Sequence, residues 1–61
     1  MYIIETIVKG NKYWVGLYRK EFSIEGLIRN AVTWEDEKIC EEACDLINRK
    51  DWKNHYMVVK K

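Results

Sequence analysis

An acidic segment with a helical pattern, placed between two apolar runs, constrains the fold of this chain most. The segment spans residues 33–50, TWEDEKICEEACDLINRK, between the apolar runs Leu27–Val32 and Tyr56–Val59. Thr33 belongs to the residue types that favour a helix N-cap, and Asp36 three residues later resembles the second member of a capping box. The segment therefore predicts a helix that begins at Thr33 and is flanked by strands.

Apolar residues recur through this segment at helical spacing. The residues that share one stripe, with Cys40 at its edge, are Ile39, Ala43, Leu46 and Ile47. A stripe of this width is typical of a helix that packs one face on a core. Arg49 and Lys50 lie at the end of the segment, where positive charge suits the helix dipole.

The first half of the chain predicts two strands joined by a tight turn. Tyr2–Val8 and Tyr13–Arg19 are rich in β-branched and aromatic residues, which favour strands. Between them, Lys9–Lys12 contains Gly-Asn, which tolerates the positive φ of a hairpin turn. Gly16, in the middle of the second strand, indicates a bulge or a close approach of another backbone. The polar stretch Lys20–Gly26 is predicted to be a loop.

A third strand at Leu27–Val32 and a closing strand at Tyr56–Val59, after a polar turn at Asp51–His55, complete the prediction. The order is β-β-β-α-β, which predicts an α+β fold with one helix packed on one face of a small antiparallel sheet. At 61 residues the chain is expected to form a single domain, residues 1–61.

Apolar and aromatic side chains are predicted on both faces of this sheet. Strand residues alternate between the two faces of a sheet, so Trp14 and Tyr18 lie on one face and Val15 and Leu17 on the other. A single helix covers one face only, and an apolar patch left exposed usually marks an interface. We therefore expect a homodimer or contact with a protein target through the second face.

Two sets of residues are predicted to form this interface. Aromatic side chains contribute much of the energy at binding hot spots, and the expected anchors are Tyr2, Trp14, Tyr18 and Tyr56. Acidic residues on the helix are expected to steer the chain toward a basic target, and they are Glu37, Glu41 and Glu42.

The residue types that commonly take part in catalysis or metal binding form no catalytic, metal-binding or cofactor-binding site in this sequence. Cys40 and Cys44 lie four residues apart on the predicted helix, and buried structural thiols are the expected state of such a pair. His55 stands alone beside a turn, without a nucleophile or an orienting acid nearby in sequence. We therefore expect a binding protein and not an enzyme.

The net charge and the first residues of the sequence bear on the expected partner and on the expected cellular compartment. Eleven Lys and Arg residues against ten Asp and Glu residues give a net charge of +1, which weighs against dominant binding of a polyanion. The opening residues MYIIETIVKG carry no signal-peptide pattern, and no run approaches the ~18 apolar residues of a membrane span. With two cysteines, these features predict a cytoplasmic protein that does not contact a membrane.

The run AVTWEDEKICEEACDLI, followed by YMVVKK and preceded by a KGNKY turn, resembles small phage and prophage accessory proteins. The resemblance covers most of the chain and depends on strand and capping pattern. It implies a non-enzymatic, often dimeric protein of the host cytoplasm. Some proteins of this kind inhibit host antiviral defence systems, so the resemblance implies an inhibitor or adaptor that contacts a host protein.

Nucleic-acid binding through the sheet is the alternative. The strand order is similar to that of the arm-binding domains of phage integrases, which place a three-stranded sheet in the DNA major groove. Aromatic residues next to basic ones are typical of nucleic-acid binders. The residues expected to contact phosphates are Lys12, Arg19, Lys20 and Arg29.

Overall fold

The computed structural model describes residues 1–61 as a four-stranded antiparallel sheet with one α-helix on one face. The elements in chain order are β1 (Tyr2–Val8), β2 (Asn11–Tyr18), β3 (Glu21–Glu25), a 3₁₀ turn (Ile28–Asn30), α1 (Glu37–Lys50) and β4 (Tyr56–Lys60). The strands lie in the order β3-β2-β1-β4. The predicted α+β class and the order β-β-β-α-β are confirmed.

Two hairpins with two-residue turns build three of the strands. Lys9 and Gly10 join β1 to β2 with φ of 51° and 82°, and Arg19 and Lys20 join β2 to β3 with φ of 50° and 65°. Positive φ at both central residues is the type I′ geometry, whose twist matches that of the flanking strands. Each strand therefore reverses directly into the next.

The second hairpin corrects the predicted loop at Lys20–Gly26. This stretch forms β3, which pairs with β2 from Tyr18↔Glu21 to Trp14↔Glu25. The prediction was wrong because the turn residues Arg19 and Lys20 lack the Gly or Asn that signals a type I′ turn.

The chain leaves β3 by crossing the sheet face opposite the helix, directly over Gly16. A Cβ atom at Gly16 would lie 2.9 Å from the carbonyl oxygen of Asn30 and 2.5 Å from Cγ of Glu25. Distances this short leave no room for a side chain. Of the two alternatives predicted at Gly16, a bulge or a close approach of another backbone, the structure shows the close approach.

After the crossing, residues 31–34 insert between β1 and β2, which separate beyond the pair Glu5↔Trp14. Val32 N–H donates to the carbonyl of Val15 at 3.0 Å. Trp34 exchanges two backbone hydrogen bonds with Tyr2, at 2.8 and 2.9 Å. The inserted segment carries the chain from one sheet face to the other.

The predicted third strand at Leu27–Val32 is wrong for this reason. The stretch is used to cross the sheet, and it holds the 3₁₀ turn and the start of the inserted segment. Its apolar residues resemble a strand locally, but no neighbouring strand is available along its length.

Asp36, and not Thr33, caps the helix. The Asp36 carboxylate oxygen Oδ1 accepts hydrogen bonds from the backbone N–H groups of Lys38 at 2.9 Å and Ile39 at 3.4 Å. The predicted cap at Thr33 is wrong because Thr33 belongs to the inserted segment, where the backbone is extended between two bridges.

The core forms where α1 lies over β1 and β4. Its buried residues are Ile4, Val15, Cys40, Cys44, Ile47 and Tyr56. Both cysteines are free thiols in this core, which confirms the structural interpretation of the pair. The predicted stripe is rotated, because Ile39 and Leu46 are 53% and 54% exposed.

Candidate functional site

The helix-facing side of the sheet has a covered half and an open half. The covered half is formed by β1 and β4, over which α1 packs. The open half is formed by the helix-facing side chains of β3 and of the adjoining end of β2, namely Leu17, Phe22 and Ile24. All three of these apolar side chains are exposed.

A groove of about 460 Å³ lies between β3 and the C-terminal part of α1. Val15, Phe22 and Ile24 contribute its apolar surface from the sheet, while Ile47 and Tyr56 contribute from the core. The remaining lining residues are polar or charged: Lys20, Glu21, Ser23, Lys50 and Asp51. We call this space the open groove.

One flank of α1 borders the open groove. Ile39, Ala43, Leu46 and Lys50 follow 4-3-4 spacing, which places them on one side of a helix. Lys50 itself lines the open groove. Ile39, Ala43 and Leu46 do not line the groove, and the exposed Ile39 and Leu46 continue this side of the helix from Lys50 toward the N-terminus of α1. We call these four residues the helix flank.

The outer edge of β3 presents unpaired backbone groups beside the groove. Tyr18 and Glu21 flank a two-residue turn and therefore form a hydrogen-bonded pair, after which alternate residues of β3 bond to β2. The N–H and C=O groups of Phe22 and Ile24 consequently point away from the sheet. No strand or side chain pairs with them.

The opposite edge of the sheet, on β4, is blocked at its start. The backbone N–H of Tyr56 donates to Oδ1 of Asn48 at 2.8 Å, and Nδ2 of Asn48 donates to the carbonyl of Tyr56 at 3.0 Å. A helix side chain thus occupies the position of a further strand. The β3 edge has no such cover.

A hydrogen-bonded cluster fixes the end of the groove where α1 meets β4. The Tyr56 hydroxyl donates to Oδ2 of Asp51 at 2.6 Å, and Nδ2 of Asn54 donates to the same oxygen at 3.1 Å. Burial, together with the hydrogen bond to Asp51, raises the pKa of Tyr56 to about 12. The bonds from Tyr56 and Asn54 lower the pKa of the Asp51 carboxyl. The cluster keeps Tyr56 neutral and in place.

The second face of the sheet is more polar at its centre than the sequence predicts. Nε1 of Trp14 donates to Oε2 of Glu5 at 3.1 Å, and Nζ of Lys12 lies 3.9 Å from Oε1 of Glu5. Trp14 is half-buried, whereas Tyr18 is 62% exposed and the Arg19 guanidinium lies 5.3 Å from its ring centroid.

The structure does not bring the four predicted aromatic anchors together. Trp14 and Tyr18 lie on the second face, whereas Tyr2 and Tyr56 lie on the helix-facing side. Tyr56 is 3% exposed and belongs to the core, so it offers little contact area apart from the part that lines the open groove. Trp14 and Tyr18 remain predicted interface residues, and Tyr2 is half-buried against the core.

The three predicted acidic residues are all exposed on α1 but divide between two sides. Helical spacing places Glu37 and Glu41 on the side of Asn48, toward β4. Glu42 lies between Ile39 and Leu46 in spacing and so adjoins the helix flank. Glu42 is therefore the one of the three nearest the open groove.

The four predicted phosphate-contacting residues also separate. Lys12 lies near the start of β2 and Arg19 lies in the turn after its end, so the six steps of strand from Lys12 to Tyr18 alone span roughly 20 Å at 3.3 Å per residue. Lys20 follows in the turn, and Arg29 lies in the 3₁₀ turn. They do not follow one continuous strand face.

No activated nucleophile or metal cluster is present. Burial raises the pKa of the Cys40 thiol to about 11, with smaller contributions from Cys44 and Glu41, and burial likewise raises the pKa of Cys44. Thiolate is the reactive form, so neither thiol is activated. No three His, Cys, Asp or Glu side chains are grouped to hold a metal ion.

No helix is long and apolar enough to cross a membrane.

Sequence reasoning missed Phe22 and Ile24 as site residues, and it assigned Leu46 to the core. The signal for the first two was present, since residues 21–25, EFSIE, alternate polar and apolar with the period of a strand. The open half of the sheet follows from that alternation once β3 is recognised.

Comparisons with protein-family models, with curated proteins and with solved structures found no match. The open groove, the β3 edge and the helix flank are the features of this chain that indicate a function.

Proposed function

We propose that this chain is a non-enzymatic binding protein that acts by contact with another protein. The supporting observation is the extent of apolar surface left in contact with water. Twelve large hydrophobic residues are exposed, whereas seven hydrophobic residues are buried, namely the six of the core and Ile3 on the second face. Contiguous exposed apolar surface usually marks an interaction site.

The helix flank and the open groove are the part of this surface that best fits a binding role. Ile39 and Leu46 repeat at the spacing of a core-facing helix, yet the sheet leaves them about half exposed. Fully burying a side chain of this size contributes about 1.5–3 kcal/mol. A partner that covers the helix flank would bury the half of each side chain that remains exposed after folding, and binding would gain the corresponding free energy.

The narrower form of the proposal is an inhibitor or adaptor that occupies a surface of a host protein. The resemblance to phage accessory proteins supports it, and the exposed acidic residues Glu37, Glu41 and Glu42 would steer encounter with a basic target. Homodimerisation through Trp14 and Tyr18 on the second face belongs to the same proposal.

A quantitative pull-down from an extract of the source cells tests the role of the helix flank. The variant is Ile39→Ser with Leu46→Ser, and the matched control is Lys38→Ser with Asp45→Ser on the solvent side of α1. We expect the amount of each protein retained by the wild type to fall by about tenfold with the first variant and to be unchanged with the control, because only the first variant removes apolar contact area.

Equal retention by both double variants, or no protein retained above bare resin, would contradict binding through the helix flank. Loss of retention with Tyr18→Ala alone would instead place the interface on the second face.

Nucleic-acid binding is the second candidate, supported by the exposed Tyr18 ring with the Arg19 guanidinium over it. Exposed aromatic and basic side chains together stack on bases and contact phosphates. A titration of generic single- and double-stranded DNA at several salt concentrations separates the candidates. Protein binding predicts weak affinity and a shallow slope of log K against log salt, whereas tight binding with a steep slope favours nucleic acid.

A further inference from the structure

We propose that the outer edge of β3 accepts an extended segment of another protein as a fifth antiparallel strand, with apolar side chains in the open groove and basic side chains opposite Glu21 and Glu25. The inference rests on the proposed protein-binding function and names the class of partner. It combines three observations, on backbone groups, side-chain volume and charge.

The backbone observation is the difference between the two edges of the sheet. Phe22 and Ile24 present free N–H and C=O groups at the β3 edge, whereas Asn48 satisfies those of Tyr56 at the β4 edge. Free groups of this kind pair with an added strand, which is the mode of recognition called β-augmentation. By the same alternation Val58 and Lys60 leave backbone groups free farther along β4, but neither of these residues lines the open groove. The β3 edge, which has both free groups and an adjoining groove, is thus the better acceptor.

The second observation concerns the helix-facing side of the sheet. Every second side chain of an added strand would point toward this side. Residues opposite Phe22 and Ile24 would point toward the helix and into the open groove. The groove volume of about 460 Å³ is within the common range of about 300–1,000 Å³ for binding pockets. Every second residue of the segment is therefore expected to be apolar.

The charge observation concerns the other face of β3, which carries Glu21, Ser23 and Glu25. Directly opposite side chains of paired strands lie about 4.5–5.5 Å apart, where opposite charges attract and like charges repel. On the lining of the groove Lys50 is balanced by Asp51, so Lys20 is the one positive charge left beside Glu21 and Glu25. Glu42 adds a further negative charge next to the helix flank. The intervening residues of the segment are therefore expected to be basic.

The same charges disfavour a second copy of this chain as the added strand. Two β3 strands paired about Ser23 would place Glu21 of each copy opposite Glu25 of the other. Like charges directly opposite one another destabilise a strand pair. A basic segment from a different protein has no such penalty.

An acetylated, amidated peptide of four Lys-Val repeats is the probe for this site. We expect backbone amide signals of Phe22 and Ile24 to shift in NMR spectra and to exchange more slowly with solvent, because those groups gain hydrogen-bond partners. The first control peptide has the same composition with four Lys followed by four Val, and the second has four Glu-Val repeats. Both are expected to bind at least about tenfold more weakly.

Chain variants test the edge itself. Ile24→Pro removes an outward N–H and a groove side chain at an edge position where proline is tolerated, and about tenfold weaker binding is expected. Lys60→Pro makes the equivalent change on the β4 edge and should leave affinity unchanged. Glu21→Lys should weaken binding of the Lys-Val peptide by about 1.4- to fivefold and strengthen that of the Glu-Val peptide. Circular dichroism confirms that each variant is folded.

Three results would overturn the inference. They are no binding of the Lys-Val peptide at about 1 mM, equal binding by Ile24→Pro and Lys60→Pro, and concentration-dependent protection of the Phe22 and Ile24 amides without peptide. The last result would make a second copy the occupant. If pull-down retention still depends on the helix flank in any of these cases, the protein-binding function stands and only the β3 site fails.

Discussion

Ile4 and Ile24 are the same residue type, on the same face of the same sheet, and they have opposite surroundings. Ile4 in the covered half is 0% exposed, whereas Ile24 in the open half is 48% exposed. Both are β-branched apolar residues within a strand, so residue type and strand propensity do not separate them. The position of α1, and not the composition of the strands, therefore determines which half becomes core.

Short connections fix the helix over the covered half. A polar turn at residues 51–55 joins α1 to β4, and Asn48 holds the start of β4 through two hydrogen bonds. At its other end, α1 follows the inserted segment, which pairs with β1 at Tyr2. One helix held in this way does not reach across to β3.

The largest expected difference between the halves comes from truncating these two isoleucines. Ile4→Ala should lower the free energy of unfolding by about 2–5 kcal/mol, because it leaves a cavity in the core. Ile24→Ala should lower it by less than about 1 kcal/mol, because its side chain is already half in water. Urea denaturation followed by circular dichroism measures both.

A domain of this size rarely has more than about 3–5 kcal/mol of stability, so Ile4→Ala is expected to be largely unfolded. Ile4→Val, with an expected loss of about 0.5–1.5 kcal/mol, keeps the comparison measurable. Equal losses for Ile4→Ala and Ile24→Ala would mean that the open half is covered in solution.

Alkaline pH should affect the covered half through Tyr56. The pKa of Tyr56 rises from its usual 10.0 to about 12 in the folded chain, so the neutral hydroxyl favours folding. That contribution is complete below pH 10 and is lost as the pH rises toward about 12. We expect the stability of the wild type to fall through this window.

Tyr56→Phe supplies the control for that prediction, because phenylalanine has no hydroxyl to ionise. Denaturation midpoints of the two proteins, measured from pH 8 to about pH 12, should converge as the pH rises. Parallel curves would show that Tyr56 is not held neutral by the core.

The smallest of the three effects concerns the start of the helix. Asp36→Ala should lower the free energy of unfolding by about 1 kcal/mol, because two backbone N–H groups lose their acceptor. Thr33→Ala should change it by less than about 0.5 kcal/mol, since Thr33 makes no capping bond. The reverse ranking in urea titrations would restore Thr33 as the cap.

The fold could be predicted as far as local patterns determine it. Composition rich in β-branched and aromatic residues predicts β1 and β2, helical spacing predicts α1, and an apolar run after a polar turn predicts β4, which together are sufficient for the fold class. The third strand was misplaced because Arg19 and Lys20 do not look like a turn, and because the crossing stretch is itself apolar. A crossing over Gly16 depends on tertiary contacts that no local pattern encodes.

The candidate site was less predictable than the fold. Excess apolar surface was expected, but it was assigned to the second face, where Glu5 holds Trp14 and Lys12 in polar contacts. The stripe through Ile39 and Leu46 was expected to be core. Which part of an apolar stripe is buried depends on where the sheet lies beneath it, and the sequence does not specify that position.

The inserted segment has a consequence for how the chain folds. Continuing the β1–β2 register would pair Tyr2 with Leu17, and then residues 31–34 would have no place between the strands. A hairpin that closed along its whole length would have to reopen partly before residues 31–34 could insert, so we expect full closure to slow folding. The folding rate should therefore depend on how soon the ends of β1 and β2 beyond Glu5 and Trp14 pair with each other. The absence of a side chain at Gly16 allows the chain to cross the sheet at this point.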